Sequence, residues 1–594
     1  MAVHDRLMEW AAIIKIMDQE FIVKKEKRPS VEIILDDGRV ISGPRNARLE
    51  AFLKTIQEPD KPLIVGAIVD GSLRELTYPI SMDAHVTPLT LSDADGARIY
   101  RRSLTFLLEV AFSQTFPDAV LTIDHSVSSG GYYCQVTEHA PLVQAQLKKV
   151  EKRMRELVDA DVEFKREVVP LDEAIAYFAS SGEDDKVRLL KYRERKDLVL
   201  YRMGEHRDYH HGYMVPSSGY IRWFELVHLP GAFIMRFPRR HAPTTLTPMT
   251  NYPTLLHAFR EYGDWLNKLG IPSTGALNDA IAAGRINEVI LVSEALHTQQ
   301  ISKIAEDISK RKKKVRVVLI AGPSSSGKTT FSKRLSIQLL TQGVSPFALE
   351  MDNYFVDRDK TPVDQNGARD FESIDALDRK RLNQDIRALI AGKQVQLPRF
   401  DFKSGLSVAG ETVHLKDDEV IILEGIHGLN PALLEDFDPE LTYRIYVSCL
   451  TQLNLDRHNR ISTTDTRMLR RILRDARDRG YSAQDTIRRW ESVRQGEKVH
   501  IFPYQENADV MFNSALAYEL TALRPLVEPL LRQVPFGTLE HIEAKRLLRF
   551  LEWFLPTNPD FIPDNSILRE FVGGSILKDF SIWHGQPMNG SGSL

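Results

Sequence analysis

Eight consecutive residues carry the most chemistry in this chain: Gly322, Pro323, Ser324, Ser325, Ser326, Gly327, Lys328 and Thr329. They follow the order Gly, four residues, Gly, Lys, Ser or Thr, in which a glycine loop turns its backbone N–H groups toward a polyphosphate. Lys328 would reach the β- and γ-phosphates, the Thr329 hydroxyl would hold Mg²⁺, and Thr330 continues the cradle. Two acids further on suit the same chemistry. Asp352 follows the apolar run Pro346–Met351 and is placed to accept the proton of an attacking hydroxyl. Glu424 follows the apolar run Val420–Leu423, where an acid handles Mg²⁺ or its water shell. Arg467, Arg470, Arg471 and Arg474 recur at i, i+3, i+4 and i+7. That spacing predicts one arginine face opposite an apolar stripe, suited to a lid over phosphates. A solvated face paired with Asp475 and Asp478 is the plainer alternative.

These residues need a scaffold, and the pattern supplies one. The run Val315–Ile320 reads as a buried strand before the loop, and Thr330–Leu340 as a helix after it. Strands and helices alternate from 315 to 534, the mark of a parallel α/β sheet, in which ligands bind outside the carboxyl ends of the strands. The predicted fold class is multidomain, α/β and α+β. The expected segments are an N-terminal helix over 1–29, a β-rich module over 30–92, a mixed domain over 93–294, a linker helix over 295–314, the parallel sheet over 315–534 and a helical tail over 535–594. In the β-rich module VEIILDDGRVI, PLIVGAIVDG and RELTYPI read as strands, with turns at Asp37-Gly38 and Asp70-Gly71.

Composition bounds the remainder. At 594 residues one core cannot suffice. The formal net charge of −3 gives no general pull toward nucleic acid, and the run Lys310–Lys314 reads as a basic helix end. Two cysteines, Cys134 and Cys449, exclude a disulfide framework and a multi-cysteine zinc site. No apolar run is long enough to span a bilayer, and the N-terminus lacks a signal-peptide pattern. The expectation is a cytoplasmic protein without membrane contact, ending in a disordered HGQPMNGSGSL.

Residues 315–530 resemble the uridine kinase branch of the uridine kinase and phosphoribulokinase family, through GPSSSGKTTFS, MDNYF, DFESIDALD, LPRFDF, IILEGIHGL and TRMLRRILRDARDRG. The resemblance implies a P-loop kinase using ATP or GTP with Mg²⁺, and a nucleoside, uridine or cytidine first, as acceptor. It implies Asp352 as catalytic base, Glu424 as the Mg²⁺-associated acid, Glu372 on the ribose, and Phe400 and Phe402 framing the base. It also implies Arg471 on the substrate side and Arg474 on the phosphate side. Uridine kinases carry Tyr at the Phe400 position and a base-reading His at the Gly405 position, so base choice is altered here. A sugar or sugar phosphate is the other acceptor class, and the family's frequent oligomerisation makes a homo-oligomer an expectation.

Residues 30–92 resemble a TGS domain. The following segment, with RRSLTFLLEVAF and EHRDYHHGYMVP, resembles the editing-type domain of threonyl-tRNA synthetases. That family's four metal-site positions are Arg102, Phe106, His210 and Met214 in this chain. Three of these cannot ligate zinc, so no zinc is expected. A rearranged set of His206, His210 and His211 is the alternative. The synthetase-like half also raises an RNA- or tRNA-binding regulatory reading, which the net charge disfavours.

Overall fold

The computed structural model describes residues 28–580 except 128, 251, 364–366, 368, 402 and 417. The helix expected over 1–29, the disordered end expected after 583 and Phe402 therefore lie outside the described residues.

Alternation of apolar and polar residues builds the first sheet. Val31, Ile33 and Leu35 of strand Ser30–Leu35 are buried, with their intervening neighbours half-buried. The sheet has five strands in the order Val40–Pro44, Ser30–Leu35, Ala84–Thr90, Ile64–Val69, Ser72–Arg74. Ser30–Leu35 and Ala84–Thr90 run parallel, and the other pairings are antiparallel. With the helix Leu49–Lys54 against it, this is a β-grasp arrangement. Both Asp-Gly turns form, with left-handed backbone at Gly38, Asp70 and Gly71. RELTYPI is a strand only at its first residue. The closing strand is instead Ala84–Thr90, whose Pro88 and weak alternation hide it from a period-two reading.

The second domain wraps a four-stranded antiparallel sheet and a three-stranded one around the helix Ala94–Thr115, which is buried along most of its length. The basic helix Gln144–Asp159 is amphipathic, with Leu147, Val150, Met154 and Leu157 inward.

The C-terminal half holds a five-stranded sheet in the order Ser345–Glu350, Glu419–Glu424, Val317–Ala321, Thr442–Ser448, Val510–Asn513. Every pairing in it is parallel. The central strand Val317–Ala321 is buried at all five positions, as a strand covered by helices on both faces must be. The segment expected as a linker helix over 295–314 belongs to a longer helix, Ile286–Lys310. Its Ile301, Ile304, Ala305 and Ile308 join the core of the parallel sheet, so it is a structural layer and not a tether. Among the described residues no helix is long and apolar enough to cross a membrane.

Candidate active site

The glycine loop joins the central strand to the helix Lys328–Thr341. Two glycines are required by geometry. A Cβ at Gly322 would stand 1.9 Å from the Val447 carbonyl oxygen. Gly327 caps the helix at φ +86°, the left-handed region that disfavours side chains. Ser325 is also left-handed, at φ +58°. The Ser325 and Ser326 hydroxyls are buried without hydrogen-bond partners. Unpartnered buried hydroxyls are costly unless something else meets them. The first turn of the helix, two orphaned hydroxyls and the Lys328 ammonium, now on the Pro323 carbonyl at 3.3 Å, form a cradle suited to a polyphosphate.

Parallel strands bring the acids to this cradle. Glu424 ends the strand beside the central one and accepts from the Thr329 hydroxyl at 3.0 Å. Burial pushes its carboxyl up to about 7, helped by Glu570 and Asp352 and opposed by Lys328 and Thr329. Asp352 lies in a single turn, Met351–Tyr354, directly after the strand Ser345–Glu350. Loss of surrounding water raises its carboxyl, against the pull of Lys328. Burial lowers Lys328, and Glu424 and Glu570 partly offset this. Thr329 and Glu424 thus offer a hydroxyl and a carboxylate to Mg²⁺, a hard ion that takes few protein oxygens.

The arginine helix, Thr463–Arg474, differs from expectation. Arg467 and Arg470 are buried, not on an open face. Arg467 pairs with Glu497 and donates to the Ser324 carbonyl at 2.8 Å. Arg470 pairs with Glu519 and lies 3.4 Å from the Ser325 carbonyl. They brace the outer turn of the glycine loop. The i, i+3 spacing gives a shared face but not whether that face meets water. Arg471 donates to the Ser324 hydroxyl at 2.8 Å and pairs with Asp475 at 3.2 Å. Arg474 faces Asp475 and Glu570 at 3.7 and 4.0 Å. Two buried ion pairs, Arg467 with Glu497 and Arg470 with Glu519, tie this helix to its neighbours.

On the acceptor side, Glu372 packs against Gly496, and burial together with Glu497 raises its carboxyl. Phe400 is buried, and its ring meets Phe355 edge-on at 5.6 Å. At Gly405 (φ +74°) a Cβ would stand 2.8 Å from the Arg358 guanidinium, so arginine fills the space beside this glycine. Glu497 and Glu570 escaped the sequence reading. Glu497 accepts the Ser324 N–H at 3.0 Å, and Glu570 touches Thr330. Neither stands in a recognisable pattern.

The second candidate, in the synthetase-like half, is filled by its own side chains. Arg102 donates to the Tyr213 carbonyl at 3.2 Å, and Met214 is core. The Phe106 ring lies 5.6 Å from that of His210 and 5.8 Å from that of His206. His211 accepts from the Trp553 indole at 3.2 Å. His206, His210 and His458 face the buried Glu109 carboxylate at 3.9, 3.5 and 3.6 Å. Glu109, Asp208 and His458 are close enough together to hold an ion. The buried Lys186 ammonium stands beside them: it pairs with Asp208 and Glu183 and lies 3.1 Å from His458 Nδ1. Burial alone would lower Lys186, but those carboxylates outweigh it and hold the charge.

Loop and acids thus gather at the carboxyl ends of the parallel strands of an α/β fold. Residues 317–520 match the Phosphoribulokinase / Uridine kinase family. Elsewhere the chain is 37% identical over 204 residues to the threonine–tRNA ligase of Methylibium petroleiphilum, covering 34% of this chain and 32% of that protein. It is 36% identical over 170 residues to that of Polaromonas naphthalenivorans, covering 28% and 27%. The chain thus spans about a third of the length of these curated relatives, and the likeness fits the β-grasp and α+β domains. Among solved structures it resembles a possible uridine kinase from Bacillus stearothermophilus, at 24% identity and TM-score 0.23, covering 34% of this chain and 89% of that one. A D-glycerate 3-kinase from Cryptococcus neoformans aligns at 16% identity and TM-score 0.21, covering 45% and 89%.

Proposed function

We propose that the C-terminal half is a kinase that transfers the γ-phosphate of ATP or GTP to the 5′-hydroxyl of a ribonucleoside, uridine or cytidine first. The observation that carries this reading is the convergence of Lys328, Asp352 and Glu424 at the ends of three adjacent parallel strands. The loop N–H groups, Ser325, Ser326 and Lys328 bind and orient the polyphosphate. Thr329 and Glu424 would hold Mg²⁺, which supplies charge neutralisation on the phosphates when bound. Asp352 receives the proton of the acceptor hydroxyl, and Glu372 and Arg471 orient the acceptor. Most of the rate gain comes from positioning and preorganised charge.

A second acceptor class, a sugar or sugar phosphate, is favoured by one observation. Phe400 is turned into the core and Arg358 fills the space at Gly405, so the acceptor side offers guanidinium where a base-reading side chain would stand. ADP release with Mg²⁺-ATP against ribonucleosides, deoxynucleosides and sugar phosphates separates the two. Stimulation by uridine or cytidine supports the first, and stimulation by an anionic sugar alone supports the second. No stimulation by any acceptor, with ATP bound, overturns the kinase reading and favours a regulatory role for the nucleotide.

A further inference from the structure

The last described segment crosses the glycine loop. Ile567, Leu568 and Phe571 enter the core of the parallel sheet, and Ile567 closes over Gly327. Lys333, one turn into the loop helix, donates to the carbonyls of Leu577 and Lys578 at 2.7 and 2.9 Å. Arg477 donates to the Glu570 carbonyl at 2.9 Å. The segment is therefore anchored on both sides of Glu570. Its carboxylate accepts the Thr330 N–H at 3.2 Å and the Thr330 hydroxyl at 3.0 Å, and faces the Arg474 guanidinium at 4.0 Å.

Thr330 is a special position. The next amide, Phe331 N–H, already bonds within the helix to Gly327, so Thr330 presents a first-turn N–H with no intrahelical partner. That N–H, a hydroxyl, the helix dipole and a guanidinium together make an anion site. In this structure the anion is the protein's own.

We propose that Glu570 is a built-in competitor for the nucleotide phosphates: its carboxylate occupies the Thr330 anion position, and an incoming polyphosphate must displace it. This rests on the nucleotide-binding reading above. The apolar anchors keep the segment in place, so the exchange is a rotation of one side chain rather than release of the strap. Displacement also frees Arg474 to turn from a carboxylate to a phosphate. Occupied in this way, the Thr330 position is satisfied without nucleotide, and the cradle binds nucleotide more weakly than it would with that position bare.

The test is ADP affinity by calorimetry for the full chain and for Glu570→Gln, with adenosine as a ligand lacking phosphate. Removing a charged hydrogen-bonding competitor is expected to tighten ADP about tenfold, with adenosine unchanged. Amide exchange at Thr330 in the nucleotide-free protein should be faster in the variant, whose neutral amide oxygen accepts more weakly than the carboxylate, and this reports the weakened contact independently of ligand. Equal ADP affinity in the two proteins, or weaker affinity in the variant, overturns the competitor while leaving nucleotide binding intact. Absence of ADP binding to either overturns both readings. Should the variant melt early, Glu570→Ser in its place, a short polar side chain that cannot span to Thr330, is expected to give the same tightening.

Discussion

Two charged clusters, one in each half of the molecule, were built from similar residue types and reached opposite ends. Around Lys328 hydrogen-bonding capacity is left unmet: two buried serine hydroxyls lack partners, Thr329 is exposed, and burial pushes the Glu424 carboxyl up to about 7. Around Lys186 the ammonium sits among Asp208, Glu183 and His458, out of reach of water. The first arrangement stores unmet hydrogen-bonding capacity that a ligand can use. The second pairs its ammonium with Asp208 and Glu183, although Glu109, His206 and His210 beside it also keep buried polar atoms without hydrogen-bond partners. Residue type alone does not distinguish these two lysines; the partners of the ammonium do, a backbone carbonyl for Lys328 against two carboxylates for Lys186.

Four outcomes would sharpen or break this contrast. The largest effect is expected for Asp352→Asn, which should lower turnover by about 10²–10⁴ while ADP binding persists. A loss below tenfold would remove Asp352 as the base. Next, Lys186→Met leaves buried carboxylates without their cation and should destabilise the fold by about 3–5 kcal/mol in urea titration. A normal denaturation midpoint would show that the cluster is not structural. Third, the raised carboxyl of Glu424 sets a pH dependence. Its carboxylate form, needed beside Thr329, appears only as pH rises through about 7, so kcat/KM should climb roughly tenfold between pH 6 and pH 8, and Glu424→Gln should flatten the profile. The same shift acts on stability in the opposite sense: the folded pKa lies above the ordinary glutamate value of 4.5, so the contribution is full below that value and is lost as pH rises through about 7. The smallest expected effect is nil: dialysis against a chelator in nucleotide-free buffer should leave the melting temperature unchanged, because Arg102, Phe106 and Met214, at three of the four positions the synthetase resemblance implies for a metal site, cannot ligate zinc. A drop of several degrees would mean that the histidines around Glu109 hold an ion after all.

What the sequence revealed follows the range of the interactions. The glycine loop, Asp352 and Glu424 were legible because each is defined by its immediate neighbours: a turn, or the end of an apolar run. The parallel sheet was legible for the same reason. The burial of Arg467 and Arg470 was not, since their carboxylate partners lie 30 and 49 positions away and periodicity is silent about which face is covered. Lys186 meets His458 across 272 positions, and Thr330 meets Glu570 across 240. Such pairs leave no local trace.

The loop between the strand Thr442–Ser448 and the arginine helix enters the synthetase-like half. Asn454 donates to the carbonyls of Ile123 and Asp124, Arg457 binds Asp185, Asp456 takes the Tyr209 hydroxyl, and the Arg457 carbonyl accepts the Ile123 N–H. Tyr209 and Asp208 are themselves buried there. Dividing the gene between the two halves would therefore not yield two portable modules. The kinase piece would carry an unshielded polar loop directly ahead of the helix that braces its phosphate cradle, and the other piece would carry an open charged cavity. Whatever selection acts on one half has to pass through the other, so the two are inherited as one mechanical part.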